Sequence, residues 1–191
     1  TRQNWWCNRL VEKNDRFLSV RPGPGMSYHY LPVSKWKTLS LDVVCISPLR
    51  RETVTELALI PRLAKRGTAA LPTLRDLARH LDGMYGSGLS ADASKIGPAQ
   101  VLRFGLDVPS VEGQRLGAAM ALVWDVMTSP YLEMGAYPQD RFDTEREEQE
   151  RDILSIINNR ARYAMVRLIE EIGKGSDSAL PAWGLLEDLP K

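Results

Sequence analysis

Residues 89–108 read L-S-A-D-A-S-K-I-G-P-A-Q-V-L-R-F-G-L-D-V. Leu89, Ala91 and Ala93 alternate with small polar residues, Gly97-Pro98 interrupts the run, and Leu102, Phe104, Leu106 and Val108 then alternate strictly. Successive side chains of a strand point to opposite faces, so a period of two marks a strand with one covered face. The stretch predicts a β-hairpin turned at Gly97-Pro98, packed on one side and wet on the other.

Upstream, the period changes. Leu74, Leu77, Ala78 and Leu81 fall at helical spacing after Thr73, with Gly83 and Gly86 available to stop the helix. An earlier helix is expected from Thr53-Val54-Thr55-Glu56, which has the form of a capping box. Val54, Leu57, Ala58, Leu59, Ile60 and Leu63 make it apolar nearly all round, so burial on most sides is expected. Pro61 lacks the N–H that an interior position donates, which predicts a kink or break there, and Gly67-Thr68 ends the element. Thr38–Ser47 reads as a well-buried strand containing Cys45 as a small buried hydrophobe. The alternating Tyr28–Val33 reads as its antiparallel partner across Lys35-Trp36-Lys37. Residues 1–26, with Trp5, Trp6 and Arg21-Pro22-Gly23-Pro24-Gly25, read as an N-terminal arm or linker, and residues 27–191 as the domain.

Downstream, Leu116, Ala119, Met120, Val123 and Met127 define one helix face that ends before Pro130. Pro138 opens a polar segment anchored by Phe142, Ile153, Ile156 and Ile157. Its charge run Glu145–Asp152, with Glu147 and Arg151 four apart, reads as a solvated helix face. Ala161, Ala164, Met165, Leu168, Ile169 and Ile172 predict a last amphipathic helix stopped by Gly173 and Gly175. Hairpins alternating with helix pairs give the order β-β-α-α-β-β-α-α-α. That is an α+β domain, a largely antiparallel sheet with helices on one face.

The 191 residues carry 25 Lys+Arg against 24 Asp+Glu. Without a basic excess, neither a nucleic-acid partner nor a membrane surface is expected. No apolar run approaches the roughly 18 residues of a membrane span. Residues 1–9 lack the apolar core of a signal peptide, and with two cysteines, Cys7 and Cys45, a reducing cytoplasm without a disulfide is the expectation.

Zinc hydrolysis needs imidazole or thiolate ligands at helical spacing, an acidic ligand and a carboxylate base. The two histidines, His29 and His80, have no His or Cys four residues on and read as structural residues of a strand and a helix. A rearranged metal site from Cys45, His29, His80 and the acidic helix is the alternative that these residues leave open. Gly-x-Ser-x-Gly is absent, and Gly83, Gly86 and Gly88 lack the lysine of a phosphate loop.

Leu59–Thr68 (L-I-P-R-L-A-K-R-G-T), then Leu77–Ala93, then the strand Val101–Val108 stand in an order that resembles the insulinase/pitrilysin-type zinc peptidases. In that family an inverted motif H-x-x-E-H precedes a Gly-Thr. Thr53-Val54-Thr55, Arg66-Gly67-Thr68 and Arg162-Tyr163-Ala164 are similar to its zinc-less bacterial branch, and the resemblance covers about residues 27–180. It implies the N-terminal domain of the family's metallohydrolase-like sandwich. Placing Gly67-Thr68 on the Gly-Thr puts Ala58 and Arg62 on the two histidines and Pro61 on the general-base glutamate. The third ligand falls nearest Asp152.

The resemblance thus implies no catalytic residue, no metal ligand and no cofactor. It implies a pseudo-peptidase that pairs with a zinc-bearing homologue, or with itself, to enclose a peptide chamber for protein processing. The family's subunits carry about two such domains, so a fragment of a longer chain is expected. A stand-alone peptide-binding scaffold is the other class of function that this reading keeps.

Overall fold

A computed structural model describes residues 16–33, 35–109 and 114–189 of the chain. Two compact units follow one another, with the break between Lys37 and Thr38. The expected boundary at residue 26 is therefore corrected. Gly23-Pro24-Gly25 is not a linker; it is the tip of a hairpin between β1 (Leu18–Gly23) and β2 (Met26–Tyr30), in which Leu18 faces Tyr30 and Val20 faces Tyr28. Tyr28 and Tyr30 thus find their partners upstream rather than in the strand that follows. Trp5, Trp6 and Cys7 lie outside the described residues.

The second unit contains β3 (Thr38–Pro48), α1 (Arg51–Ala64), α2 (Leu74–Gly83), β4 (Gly88–Ile96), β5 (Ala99–Pro109), α3 (Gln114–Thr128), α4 (Gln139–Ser155) and α5 (Arg160–Ile172). Three antiparallel strands form its sheet in the order β3-β5-β4. β5 runs opposite β3 from Ala99–Pro48 to Pro109–Thr38, and opposite β4 from Ala99–Ile96 to Asp107–Gly88. The hairpin read from residues 89–108 is present, with Gly97 supplying the positive φ that a two-residue loop needs at its first position.

The central place of β5 explains its sequence. Leu102, Phe104, Leu106 and Val108 are buried against Ala64 of α1, Leu77 of α2 and Ala119, Leu122, Val123 and Val126 of α3. On the opposite face Arg103 donates to Asp42 at 2.7 Å and Asp107 accepts from Ser40, giving a polar surface. Burying four such side chains is worth roughly 6–12 kcal/mol before entropy is charged, so this layer dominates the unit. The expected fold, helices on one face of an antiparallel sheet, is the observed one.

Several local expectations are overturned by tertiary context. β3 is an edge strand, not a well-buried one; Val44 and Ile46 are exposed, and so is Cys45, whose thiol lies 3.7 Å from Met127 Sδ. α1 starts at Arg51 with no side-chain cap, so the Thr53 box is not used, and it continues through the buried Pro61 to Ala64. Losing one intrahelical bond does not end a helix whose other face is packed. The box that does form is at α2, where Thr73 Oγ1 accepts from Asp76 N and the Asp76 carboxylate accepts from Thr73 N. On α3 the buried face runs through Ala119, Leu122, Val123 and Val126, leaving Leu116 and Met120 exposed.

α4 and α5 depart furthest from expectation. α4 packs against α1 and buries Glu145 and Gln149, while Arg151 donates to the Glu147 main chain rather than its carboxylate. α5 is amphipathic as expected, but buries none of its residues; Met165, Leu168 and Ile172 are exposed. After α5 the chain returns across α1 as a strap. Gln100 Nε2 donates to Val54 O and Ala182 O, Lys95 Nζ to Ser178 O and Leu180 O, and Leu185 N to Thr55 Oγ1. No helix among the described residues is long and apolar enough to cross a membrane.

Candidate functional site

A cleft of about 630 Å³ opens beside the C-terminal half of α1, with α4 opposite, edge strand β4 along one side and Trp183 of the strap closing another. It follows from two polar stripes. Ala58 and Arg62 of α1 and Lys65 and Arg66 just past its C-terminus line one side, and Glu145, Glu148, Gln149 and Asp152 lie at i, i+3, i+4 and i+7 on α4. One stripe is basic and the other acidic, so the helices meet through charge rather than through an apolar seam.

The pairs are unequal. Arg66 Nε donates to Glu145, whose side chain is 6% exposed, and Arg66 also lies 3.6 Å from Glu148. Removing one partner of a pair this deep strands a buried charge, which typically costs several kcal/mol. Arg62 donates to Asp152, which is 63% exposed; water screens that pair, and it is worth at most about 1 kcal/mol. The buried Gln149 spans the helices and the strap, donating through Nε2 to Thr55 O (3.3 Å) and Trp183 O (2.8 Å), while its Oε1 is buried without a partner. Arg162 of α5 lays its guanidinium 5.2 Å from the centre of the Trp183 ring. Arg141 donates to Pro72 O at 2.8 Å, fixing the start of α4 to the α1–α2 loop.

Of the four positions read from the sequence, Ala58, Arg62 and Asp152 line this cleft together, and Pro61 does not. Pro61 is turned into the packed side of α1. His29 lies in the β1–β2 hairpin, bonded to Ser19 (2.8 Å) and Ser27 (3.1 Å), and His80 is exposed on α2 outside the cleft. Among the described residues no three His, Cys, Asp or Glu side chains gather as a metal site would require. The donor set of the cleft does not fit zinc: Ala58 offers no lone pair, and Arg62 is a permanent cation that already holds the Asp152 carboxylate.

Lys65, Arg66, Glu145, Gln149, Arg162 and Trp183 also shape the cleft and were not singled out as site residues from the sequence. A usable signal was present for α1 and α4, since Arg62/Arg66 and Glu145/Glu148/Asp152 are complementary stripes at helical spacing. Nothing local marks Trp183, which arrives from 121 residues beyond Arg62 in sequence.

No protein-family model matches the chain. It is similar to the probable inactive metalloprotease YmfF of Bacillus subtilis, with 31% identity over 170 residues that cover 86% of this chain and 40% of the relative. Among solved structures it resembles a conserved protein from Enterococcus faecalis V583 (TM-score 0.83, 23% identity, 91% of this chain and 42% of the other). It also resembles the peptidase M16 inactive domain from Pseudomonas fluorescens (TM-score 0.68, 14% identity, 92% of this chain and 40% of the other). The chain thus spans about two fifths of the length of the relatives it matches.

Proposed function

We propose, from the premise that this chain belongs to the insulinase-type (M16) peptidase family as an inactive member, that it holds peptide without cutting it and completes a chamber with a zinc-bearing homologue. The observation that carries the reading is the Arg62–Asp152 ion pair inside the cleft. The family resemblance implies zinc-ligand roles for these two positions, and in this reading the Arg62 guanidinium takes the place of the cation. With Ala58 in place of a ligand and Pro61 in place of the base, neither metal nor water activation is available, so the reading includes no cofactor and no catalytic residue. Holding peptide remains chemically open, because β4 is a sheet edge whose Ala91, Asp92 and Ala93 border the cleft. An edge strand can accept an extended peptide through main-chain hydrogen bonds.

Co-purification with a homologue that retains H-x-x-E-H, followed by peptide cleavage with and without this chain, tests the subunit role. Cleavage that rises several-fold only in the mixture is the expected result. Unchanged activity and no complex would overturn it and leave a stand-alone binding module. Stoichiometric zinc in the purified chain, lost on His80→Ala, would instead establish a rearranged metal site.

A further inference from the structure

The cations of the cleft outnumber the carboxylates available to them. Arg62 is matched by Asp152, and Arg66 by Glu145 and Glu148. Asp92 also borders the cleft, but it faces Arg103 across the β4–β5 ladder and helps to hold that guanidinium charged. Lys65 and Arg162 are left with no carboxylate among the described residues. Lys65 is half-buried at the end of α1, and Arg162 is stacked on Trp183. A stacked guanidinium keeps its N–H edge available, and that edge matches a carboxylate in shape.

Beside these two cations runs β4, the outer strand of the sheet. Three consecutive residues, Ala91 to Ala93, border the cleft. Alternate residues of an edge strand direct N–H and C=O outward, so at least one of the three presents both groups there. Ala91 and Ala93 point toward the helices and are small, which leaves room for a side chain arriving from a neighbouring strand.

We propose that the cleft selects a carboxylate-bearing peptide, laid along β4 with its carboxylate between Lys65 and Arg162. This rests on the peptide-holding reading above and adds the chemical class of what is held. An acidic side chain and a free C-terminus supply the same group, and the choice between them is experimental. The apolar β5 layer and the paired arginines take no part; selection comes from the two unmatched cations.

Fluorescence anisotropy with labelled, capped heptapeptides of Val and Thr tests it, using the full chain. One peptide carries a central Glu, a second the isosteric Gln, a third a central Lys, and a fourth has neutral side chains and an uncapped C-terminal carboxylate. The Glu or the free-carboxylate peptide is expected to bind about ten-fold more tightly than the Gln peptide, with the preference fading as salt rises. Lys65→Gln and Arg162→Gln should each bring the ratio of Glu-peptide to Gln-peptide affinity close to one, and Lys65→Glu should shift the preference toward the Lys peptide. Thermal melts of each variant separate lost selection from lost folding. Equal binding of the Glu, Gln and free-carboxylate peptides would overturn the selection and leave the peptide-holding reading standing. No binding by any peptide would overturn both.

Discussion

α4 and α5 are consecutive helices that break the burial rule in opposite directions. α4 is the more polar by sequence, yet it buries Glu145 and Gln149, whereas α5 is strongly amphipathic and exposes Met165, Leu168 and Ile172. The difference lies in what faces each helix. α4 meets the basic stripe of α1 and the main-chain carbonyls of Thr55 and Trp183, so its polar groups have partners inside. α5 contacts the short turns that flank it, at Ile156–Asn158 and Asp177–Ala179, and these leave its apolar side uncovered. Burial therefore follows the partner, and hydropathy alone cannot rank two helices whose partners are unknown.

The sharpest way to break this comparison is at its buried end. Glu145→Ala should destabilise the chain by about 2–3 kcal/mol, because Arg66 keeps its charge and retains only Glu148 at longer range. The double variant Arg66→Met/Glu145→Leu should recover much of that loss. Urea denaturation followed by far-UV circular dichroism reads both, and a loss under 0.5 kcal/mol for the single variant would mean that the α1–α4 pair contributes little. At the exposed end, Leu168→Ser and Ile172→Ser should each change stability by no more than about 0.5 kcal/mol, since both side chains stay more than half exposed in the fold. A larger loss in the same assay would show that the face is covered.

The smallest expected effect concerns Lys95 of β4, a cation drawn toward the strap by Ser178 O and Leu180 O. Burial lowers its pKa below the ordinary lysine value of 10.5, against a smaller upward pull from Glu170. The unfolded chain therefore binds more protons in the window just below 10.5, and stability rises with pH there. Lys95→Met should flatten that rise in a pH series of denaturation midpoints. An identical slope in both proteins would assign the pH response to other groups.

Legibility in the sequence tracked how local each cause was. The β4–β5 hairpin was readable because its alternation and its Gly97-Pro98 turn are contained in a few residues. So was α2, where Thr73 and Asp76 cap each other within one turn. The edge position of β3 was not readable, because it depends on β5 arriving between β3 and β4. The Thr53–Glu56 box misled because α1 begins at Arg51, which puts Thr53 inside the first turn rather than at the cap. In the cleft, Ala58, Arg62 and Asp152 were reached through the family resemblance. Gln149 and Trp183 needed the three-dimensional path of the strap.

That strap is held by its backbone. Val54, Thr55, Ser178, Leu180, Ala182 and Trp183 all take part through main-chain carbonyls, and Leu185 through its N–H. Residues 178–181 can therefore drift in sequence with little consequence, provided the chain keeps its path, whereas the buried Ala182 must stay small. Gly184 cannot: its φ is +86°, and a Cβ there would stand 2.6 Å from Thr55 Cα. In a comparison of distant homologues, this segment would be recognised by the spacing between one glycine and four side chains elsewhere, Thr55, Lys95, Gln100 and Gln149, rather than by any motif of its own.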